Sequence, residues 1–219
     1  MDHDLPDEHT LPALYLIWPS ASLASPPQVS LPPGYELRPY RAGDEEPLRS
    51  LRGEEGWKLS HEDWQGYRSR VIPRGLFAVW NAASQMPVGT AGAIHSPGGA
   101  RHYFPSGGQL AYLVVHPDHR GHGPGMALTT LVVERFLRTG YEQIWTGVQR
   151  FRLPAIKTYL KAGFVPFLHQ DGLGERWKRI CAQIGWPYTP DLWPTALFRG
   201  LNLSSTSTNP RERGSSEPA

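Results

Sequence analysis

Residues 109–126 read QLAYLVVHPDHRGHGPGM, an apolar run followed at once by a stretch rich in histidine and glycine. The apolar residues 109–116 predict a strand. Residues 126–138 predict a helix, because Pro124 suits a first helical turn and Gly140 suits the position just past a helix end. Within this stretch, TTLVV favours a strand by propensity alone, but the whole stretch of residues 126–138 is long for a strand. The histidine- and glycine-rich stretch is therefore predicted to be a loop between a strand and a helix.

The histidines of this loop raise the possibility of a metal site. His116, His119 and His122 are spaced by three residues, which on a helix would place them on one face. Proline and alternating glycines make a helix improbable here, and Asp118 is the sole acidic neighbour. The zinc-protease spacing His-Glu-x-x-His is also absent after His61. The histidines are better explained as polar loop residues, and no metal is expected.

The glycines favour a phosphate site instead. Glycine lets backbone N–H groups turn towards an anion, and the start of a helix also favours negative charge. Arg120 adds a permanent cation with forked donors, whereas Pro124 has no N–H to offer. A P-loop would need Gly-Lys-Ser/Thr, and a dinucleotide fingerprint would need glycine where Met126 and Leu128 stand. Both of these nucleotide sites are excluded.

What remains is the pattern Arg120-x-x-Gly123-x-Gly125, preceded by Val-x-Pro at the end of the apolar strand. A second motif follows in residues 152–164, RLPAIKTYLKAGF, in which Ala155, Tyr159, Gly163 and Phe164 stand at fixed spacing. Together these residues resemble the two motifs of the GNAT superfamily of acyl-CoA-dependent N-acyltransferases. The resemblance extends over about residues 34–168.

The order of strand-like and helix-like patterns predicts an α/β domain around a mixed sheet. The resemblance implies a GNAT-like, mostly antiparallel central sheet flanked by helices, with a splayed pair of parallel strands at residues 109–116 and 141–149. Many relatives end in a strand where residues 175–184 predict a helix. We expect residues 1–33 to form an extended, partly disordered arm, residues 34–187 the domain, and residues 188–219 an extension with a disordered tail.

The resemblance also implies which residues bind acetyl-CoA. The pantetheine arm would pair with the strand before the loop as a pseudo-strand, and the loop would enclose the pyrophosphate. The expected cofactor-binding residues are Leu113, Val114, Val115, Arg120, Gly121, His122, Gly123, Gly125 and Met126. Tyr159 would protonate the departing thiolate as a general acid, unless it serves only in packing. Arg152 stands where asparagine is usual in the family, so its contact with the cofactor is an open question.

The acceptor amine must be neutral to attack. For an amine with pKa near 10.4, deprotonation at pH 7 costs roughly 4–5 kcal/mol. Gln109 and Ala111 stand where many relatives carry a Glu or His that assists, so a base must come from elsewhere or act through water. The candidate bases are Glu54, Glu55, His61, His95 and His116. Glu54, Glu55 and Trp57 are also the expected acceptor-binding residues, since carboxylates and aromatic rings can hold a cationic amine.

Composition restricts the other classes to which the protein could belong. The 219 residues carry a formal net charge of +2 and scattered basic residues, which argues against a nucleic-acid partner. The single cysteine, Cys181, permits no intrachain disulfide and fits a cytoplasmic protein. No apolar run reaches the about 20 residues of a membrane span.

The sequence therefore predicts a cytoplasmic N-acetyltransferase that uses acetyl-CoA and a small-molecule or peptide amine, as a monomer or homodimer. Two alternatives remain: a catalytically silent acyl-CoA sensor, and a metal-binding protein that uses the histidines.

Overall fold

The computed structural model describes residues 14–54, 56, 58–95 and 103–195. A seven-stranded sheet with strand order β2-β3-β4-β5-β6-β1-β7 lies at its centre. The strands are β1 (Leu14–Ile17), β2 (Tyr35–Pro39), β3 (Val71–Asn81), β4 (Pro87–His95), β5 (Gly108–Val115), β6 (Ile144–Val148) and β7 (Val165–Pro166). The helices are α1 (Glu45–Glu54), α2 (His61–Arg68), α3 (Pro124–Arg138), α4 (Leu153–Ala162) and α5 (Leu173–Ile184). The predicted mixed, mostly antiparallel sheet with flanking helices is confirmed.

Strands β5 and β6 form the parallel pair, and they separate almost at once. Their pairing is confined to Gly108 with Ile144 and Gln109 with Trp145, although β5 continues for six residues beyond Gln109. A bulge interrupts the pairing of β4 with β5 between Thr90 and Gly92, and opposite it Tyr112 adopts a positive φ of 52°. The predicted splayed pair is thus present, and the gap opens from residue 110 onwards.

Helices cover both faces of the sheet. Phe77, Val79 and Ala91 face a core shared with α3, α4 and α5, whereas Ala78 and Trp80 face a second core beneath α1 and α2. Alternate residues of one strand point to opposite faces, so β3 contributes to both cores.

Local signals in the sequence account for the helix ends. Ser60 caps α2 through a capping box with Asp63, and Pro124 lies in the first turn of α3. Gly163 ends α4 with a φ of +111°. The helix predicted where many relatives have a final strand is α5, and the buried Cys181 lies on its inner face.

The N-terminal arm requires a correction. Residues 1–33 were expected to form an arm outside the domain, but Leu14–Ile17 lie within the sheet, antiparallel to both β6 and β7. Leu14 and Leu16 are fully buried, so apolar burial holds this short strand in place. Ser20–Ser22 form a turn of 3₁₀ helix within the arm that was expected to be extended. The disordered tail predicted within residues 188–219 falls on residues 196–219, which lie outside the described residues.

Candidate active site

The glycine-rich loop is built to leave N–H groups at the start of α3. Gly121 and Gly123 adopt φ values of +78° and +102°, which disfavour residues with a Cβ. Gly123 caps the helix, and Gly125 and Met126 belong to its first turn, where backbone N–H groups have no acceptor within the helix. Positive partial charge is therefore concentrated at this loop.

A cleft of about 700 Å³ opens beside this loop, between the end of β5 and α4. One wall of the cleft holds eight of the nine residues predicted to bind acetyl-CoA: Leu113, Val114, Val115, Arg120, Gly121, Gly123, Gly125 and Met126. The ninth residue, His122, is exposed and does not line the cleft. The opposite wall is formed by Phe151, Arg152, Pro154, Ala155, Thr158 and Lys161.

Two hydrogen bonds fix the entrance of the cleft. The guanidinium of Arg120 donates through Nε to the Val115 carbonyl at 3.1 Å, which holds the arginine at the end of β5. The hydroxyl of Tyr35 lies 3.0 Å from Nδ1 of His119. His119 is therefore a cleft residue whose ring position is set by β2, a strand distant in sequence.

A second cavity of about 360 Å³ lies in the gap between β5 and β6. It shares Leu113, Arg152 and Ala155 with the cleft, so the two spaces adjoin at these side chains. Tyr159 lines this inner cavity together with Thr146 and Ala111. A path thus runs from the glycine-rich loop through the splayed strands to the side chain of Tyr159.

Tyr159 is 4% exposed and lies at the inner end of this path. Burial raises its pKa from 10.0 to about 12, against the opposing effects of a hydrogen bond with Thr146 and the nearby charge of Arg152. The Thr146 hydroxyl donates to the Leu110 carbonyl at 3.0 Å and also contacts the Tyr159 hydroxyl. The tyrosine is consequently protonated at neutral pH and oriented by β6.

The predicted bases lie elsewhere. His116 accepts a hydrogen bond from the Asp118 backbone at Nδ1, and its Nε2 lies 3.4 Å from the carboxylate of Glu54. His61 contacts Glu45 on the surface, and His95 contacts the Tyr141 hydroxyl. None of these described candidates lines the inner cavity. His116 ends β5, but it does not reach the space around Tyr159.

The predicted acceptor residues are only partly described. Glu54 is exposed at the end of α1 and pairs with His116, away from the inner cavity. Glu55 and Trp57 lie outside the described residues. The inner cavity is also lined by Arg70, Tyr112 and Gln149, which were not among the predicted site residues. No local pattern marks them, because the bulge in β5 and the path of β3 bring them together.

His116 and His119 contact protein partners, whereas His122 is exposed. Within the described part of the chain, no group of three or more His, Cys, Asp or Glu side chains is placed to hold a metal ion. None of the described helices has the length and apolar content needed to cross a membrane.

Comparison with known proteins agrees with this geometry. The sequence model of the Acetyltransferase (GNAT) family matches residues 40–164, more than half of the chain. The chain therefore belongs to the GNAT acetyltransferase family.

The chain is also similar to individual members of the family. The uncharacterized N-acetyltransferase YobR of Bacillus subtilis (strain 168) is 29% identical over 112 residues, which cover 49% of this chain and 41% of that protein. The chain thus spans less than half the length of this relative.

Two solved structures share the fold. A GCN5-related N-acetyltransferase from Sphaerobacter thermophilus has a TM-score of 0.54 at 22% identity, over 71% of this chain and 49% of the other. A tandem GNAT protein from the clavulanic acid biosynthesis pathway has a TM-score of 0.53 at 21% identity, over 72% of this chain and 51% of the other. The central domain is thus built like that of these acetyltransferases.

Proposed function

We propose that this protein is an N-acetyltransferase that moves an acetyl group from acetyl-CoA to an amine. One observation carries the proposal: the path formed by two adjoining cavities, which extends from the glycine-rich start of α3, through the gap between β5 and β6, to the buried hydroxyl of Tyr159. This path offers anion-binding N–H groups at one end and a proton-bearing side chain at the other.

The residues present fit acetyl-CoA. Gly121, Gly123 and the first turn of α3 can hold the pyrophosphate, with Arg120 adjacent. The edge of β5 around Leu113 and Val115 separates from β6 and can pair with an extended amide-containing arm. Bound acetyl-CoA would supply an acetyl thioester, whose carbonyl carbon a neutral amine attacks as the thiolate departs.

Tyr159 is positioned to stabilise the departing thiolate. With a pKa of about 12 it remains protonated and can donate a hydrogen bond to a sulfur anion. Complete proton transfer to a thiolate of pKa near 8.5 would be uphill by roughly 5 kcal/mol. We therefore assign Tyr159 chiefly the role of hydrogen-bond donor in the transition state, which is weaker chemistry than the general acid expected from the sequence.

A second candidate function is an acyl-CoA sensor without turnover. It is favoured by the positions of Glu54, His61, His95 and His116, none of which lines the inner cavity. Transfer to an amine with a high pKa would then lack a direct base.

Calorimetry with acetyl-CoA, followed by a thiol-release assay over a panel of amines, amino acids and peptides, tests both candidates. We expect saturable binding and thiol release above the rate of hydrolysis with at least one amine class. Binding without amine-dependent release would favour the sensor, and failure to bind acetyl-CoA would refute both candidates.

A further inference from the structure

Arg52 is buried without a partner of opposite charge among the residues that the structure describes. It lies near the end of α1 with 0% exposure, in the core between α1, α2 and the sheet. Its guanidinium carbon lies 4.3 Å from the ring centre of Tyr67, 5.0 Å from that of Trp64 and 5.1 Å from that of Tyr112. All three of its nitrogens are buried and make no hydrogen bond. We call Arg52 and these three rings the arginine cage.

The rings cannot replace an anion. A cation over an aromatic face gains modest attraction, and the neutral hydroxyls of Tyr67 and Tyr112 bring no negative charge to the five N–H groups of arginine. An uncompensated buried ion costs several kcal/mol. Arg52 also forms no ion pair with a described carboxylate. The cage is therefore an energetically costly arrangement that an anion would stabilise.

The neighbouring polar groups are also donors. The hydroxyl of Tyr67 and the indole N–H of Trp64 are buried and make no hydrogen bond. Together with the guanidinium they form a cluster that is rich in donors and poor in acceptors. A carboxylate has the complementary chemistry, since its two oxygens fit the fork of an arginine.

The cage borders the inner cavity. Tyr112 lines that cavity beside Ala111, and the same ring packs edge-on against Tyr67 at 4.9 Å between centres. Tyr112 therefore separates Arg52 from the space that contains Tyr159. Rotation of the Tyr112 side chain would join the cage to the cavity on the side of α1 and α2.

We propose that Arg52 binds the carboxylate of the acetyl acceptor, so that the acceptor is a small amine that carries a carboxylate, as an amino acid does. This inference rests on the proposed N-acetyltransferase function. It assigns the cage the task of selecting the acceptor and leaves acetyl-CoA to the cleft.

Matched acceptors test the selection without any mutation. Initial rates for free amino acids are compared with those for their amides, each rate being corrected for the fraction of neutral amine at the assay pH. We expect kcat/KM to be at least about tenfold higher for the carboxylates, as expected for a hydrogen-bonded charge pair. Equal values for acids and amides would overturn the proposal.

Variants of Arg52 test whether this residue causes the preference for carboxylate acceptors. Arg52→Met should abolish the preference by raising KM for the acids, whereas Arg52→Lys should retain part of it. Arg68→Met is the matched control, because Arg68 is exposed and its guanidinium lies 4.5 Å over Tyr40. A preference that persists in Arg52→Met would contradict the assignment.

A binding experiment keeps this inference separate from the proposed function. Thermal unfolding is followed with N-acetylglycine and with N-acetylglycinamide, which need no chemistry. We expect the acid to raise the Tm of the wild type and of Arg68→Met, but not that of Arg52→Met. If the acid stabilises in this pattern while no amine is acetylated, the anion site stands and the acetyltransferase function fails. If amines are acetylated without this pattern, the anion site fails alone.

The stability of Arg52→Met gives one more readout. Replacing an unpaired buried charge by an apolar side chain should leave Tm unchanged or raise it. A fall of more than about 8 °C would show that the cation supports the core through its rings and would overturn a ligand-binding role.

Discussion

Pro32 packs directly against Gly123. A Cβ at position 123 would stand 2.8 Å from Cγ of Pro32, and Gly123 has a φ of +102°. The contact joins the N-terminal arm to the loop at the start of α3, so that the shape of the candidate pyrophosphate site depends on a residue far away in sequence. Glycine is required at 123 both by its backbone conformation and by this neighbour.

Gly123→Ala should therefore weaken acetyl-CoA binding more than Gly121→Ala. Both substitutions strain a positive φ, which costs about 1–2 kcal/mol, but position 121 has no atom within 4 Å of an added Cβ. We expect the Kd of Gly123→Ala to rise at least about tenfold, and that of Gly121→Ala to rise less. Calorimetry measures both.

The double variant Pro32→Ala with Gly123→Ala separates the backbone strain at position 123 from the steric contact with Pro32. Removing Cγ of Pro32 should recover part of the lost affinity. If the double variant binds no better than Gly123→Ala alone, the contact with Pro32 is irrelevant to the loop.

Tyr159→Phe should lower kcat by roughly 10- to 100-fold, the value of one hydrogen bond to a developing charge, and leave the Kd for acetyl-CoA nearly unchanged. Thr146→Val should lower kcat to a smaller extent, because Thr146 orients the Tyr159 hydroxyl. Tyr188→Phe, which alters a tyrosine remote from both cavities, is the control. An unchanged kcat in Tyr159→Phe would remove this tyrosine from the mechanism.

The raised pKa of Tyr159 also predicts how stability depends on pH. Since the folded protein holds this proton up to about pH 12 and the unfolded chain loses it near 10.0, the associated stability is present below pH 10 and lost as pH rises to 12. It amounts to at most about 3 kcal/mol.

Denaturant unfolding between pH 9 and 12 checks this. The free energy of unfolding should fall less steeply for Tyr159→Phe than for the wild type. Tyr15, Tyr67 and Tyr141, whose pKa values burial also raises, are common to both proteins and cancel in the comparison. Identical slopes would argue against the burial of an ionisable Tyr159.

Gly92 on β4 is predicted to be intolerant of any side chain. A Cβ there would overlap the hydroxyl of Tyr67 in the arginine cage, so Gly92→Ala should cost roughly 1–3 kcal/mol of stability. Tyr67→Phe combined with Gly92→Ala should recover part of that loss. Gly66→Ala, on the exposed face of α2 with no atom within 4 Å of the added Cβ, should be neutral or stabilising. Equal effects of the two alanine substitutions on unfolding would contradict the packing described for Tyr67.

Sequence patterns indicate the structure correctly where the interactions that determine it are local. The capping box at Ser60, the proline at the start of α3 and the glycine after α4 act within one or two helical turns. The loop at residues 120–126 was recognised for the same reason, since its glycines specify their own backbone angles. The apolar run at residues 109–116 predicts a strand, and the structure places β5 one residue earlier, at Gly108–Val115.

The errors concerned contacts between distant parts of the chain. The strand Leu14–Ile17 was missed because its four residues stand among prolines, and its pairing with β6 depends on residues more than 100 positions away. His116 is a candidate base by sequence because it closes the predicted strand 109–116, but in the structure it follows β5 and its ring lies beside Glu54.

By itself, the sequence determined the family, the glycine-rich loop and the helices, because these follow from residue spacing and from the conformational limits of glycine and proline. The tertiary structure decided which groups share one space. It separated β5 from β6, buried Tyr159 beside Thr146 and enclosed Arg52 among three rings. These features arise from packing across the sheet, and burial sets both the proton affinity of Tyr159 and the need of Arg52 for an anion.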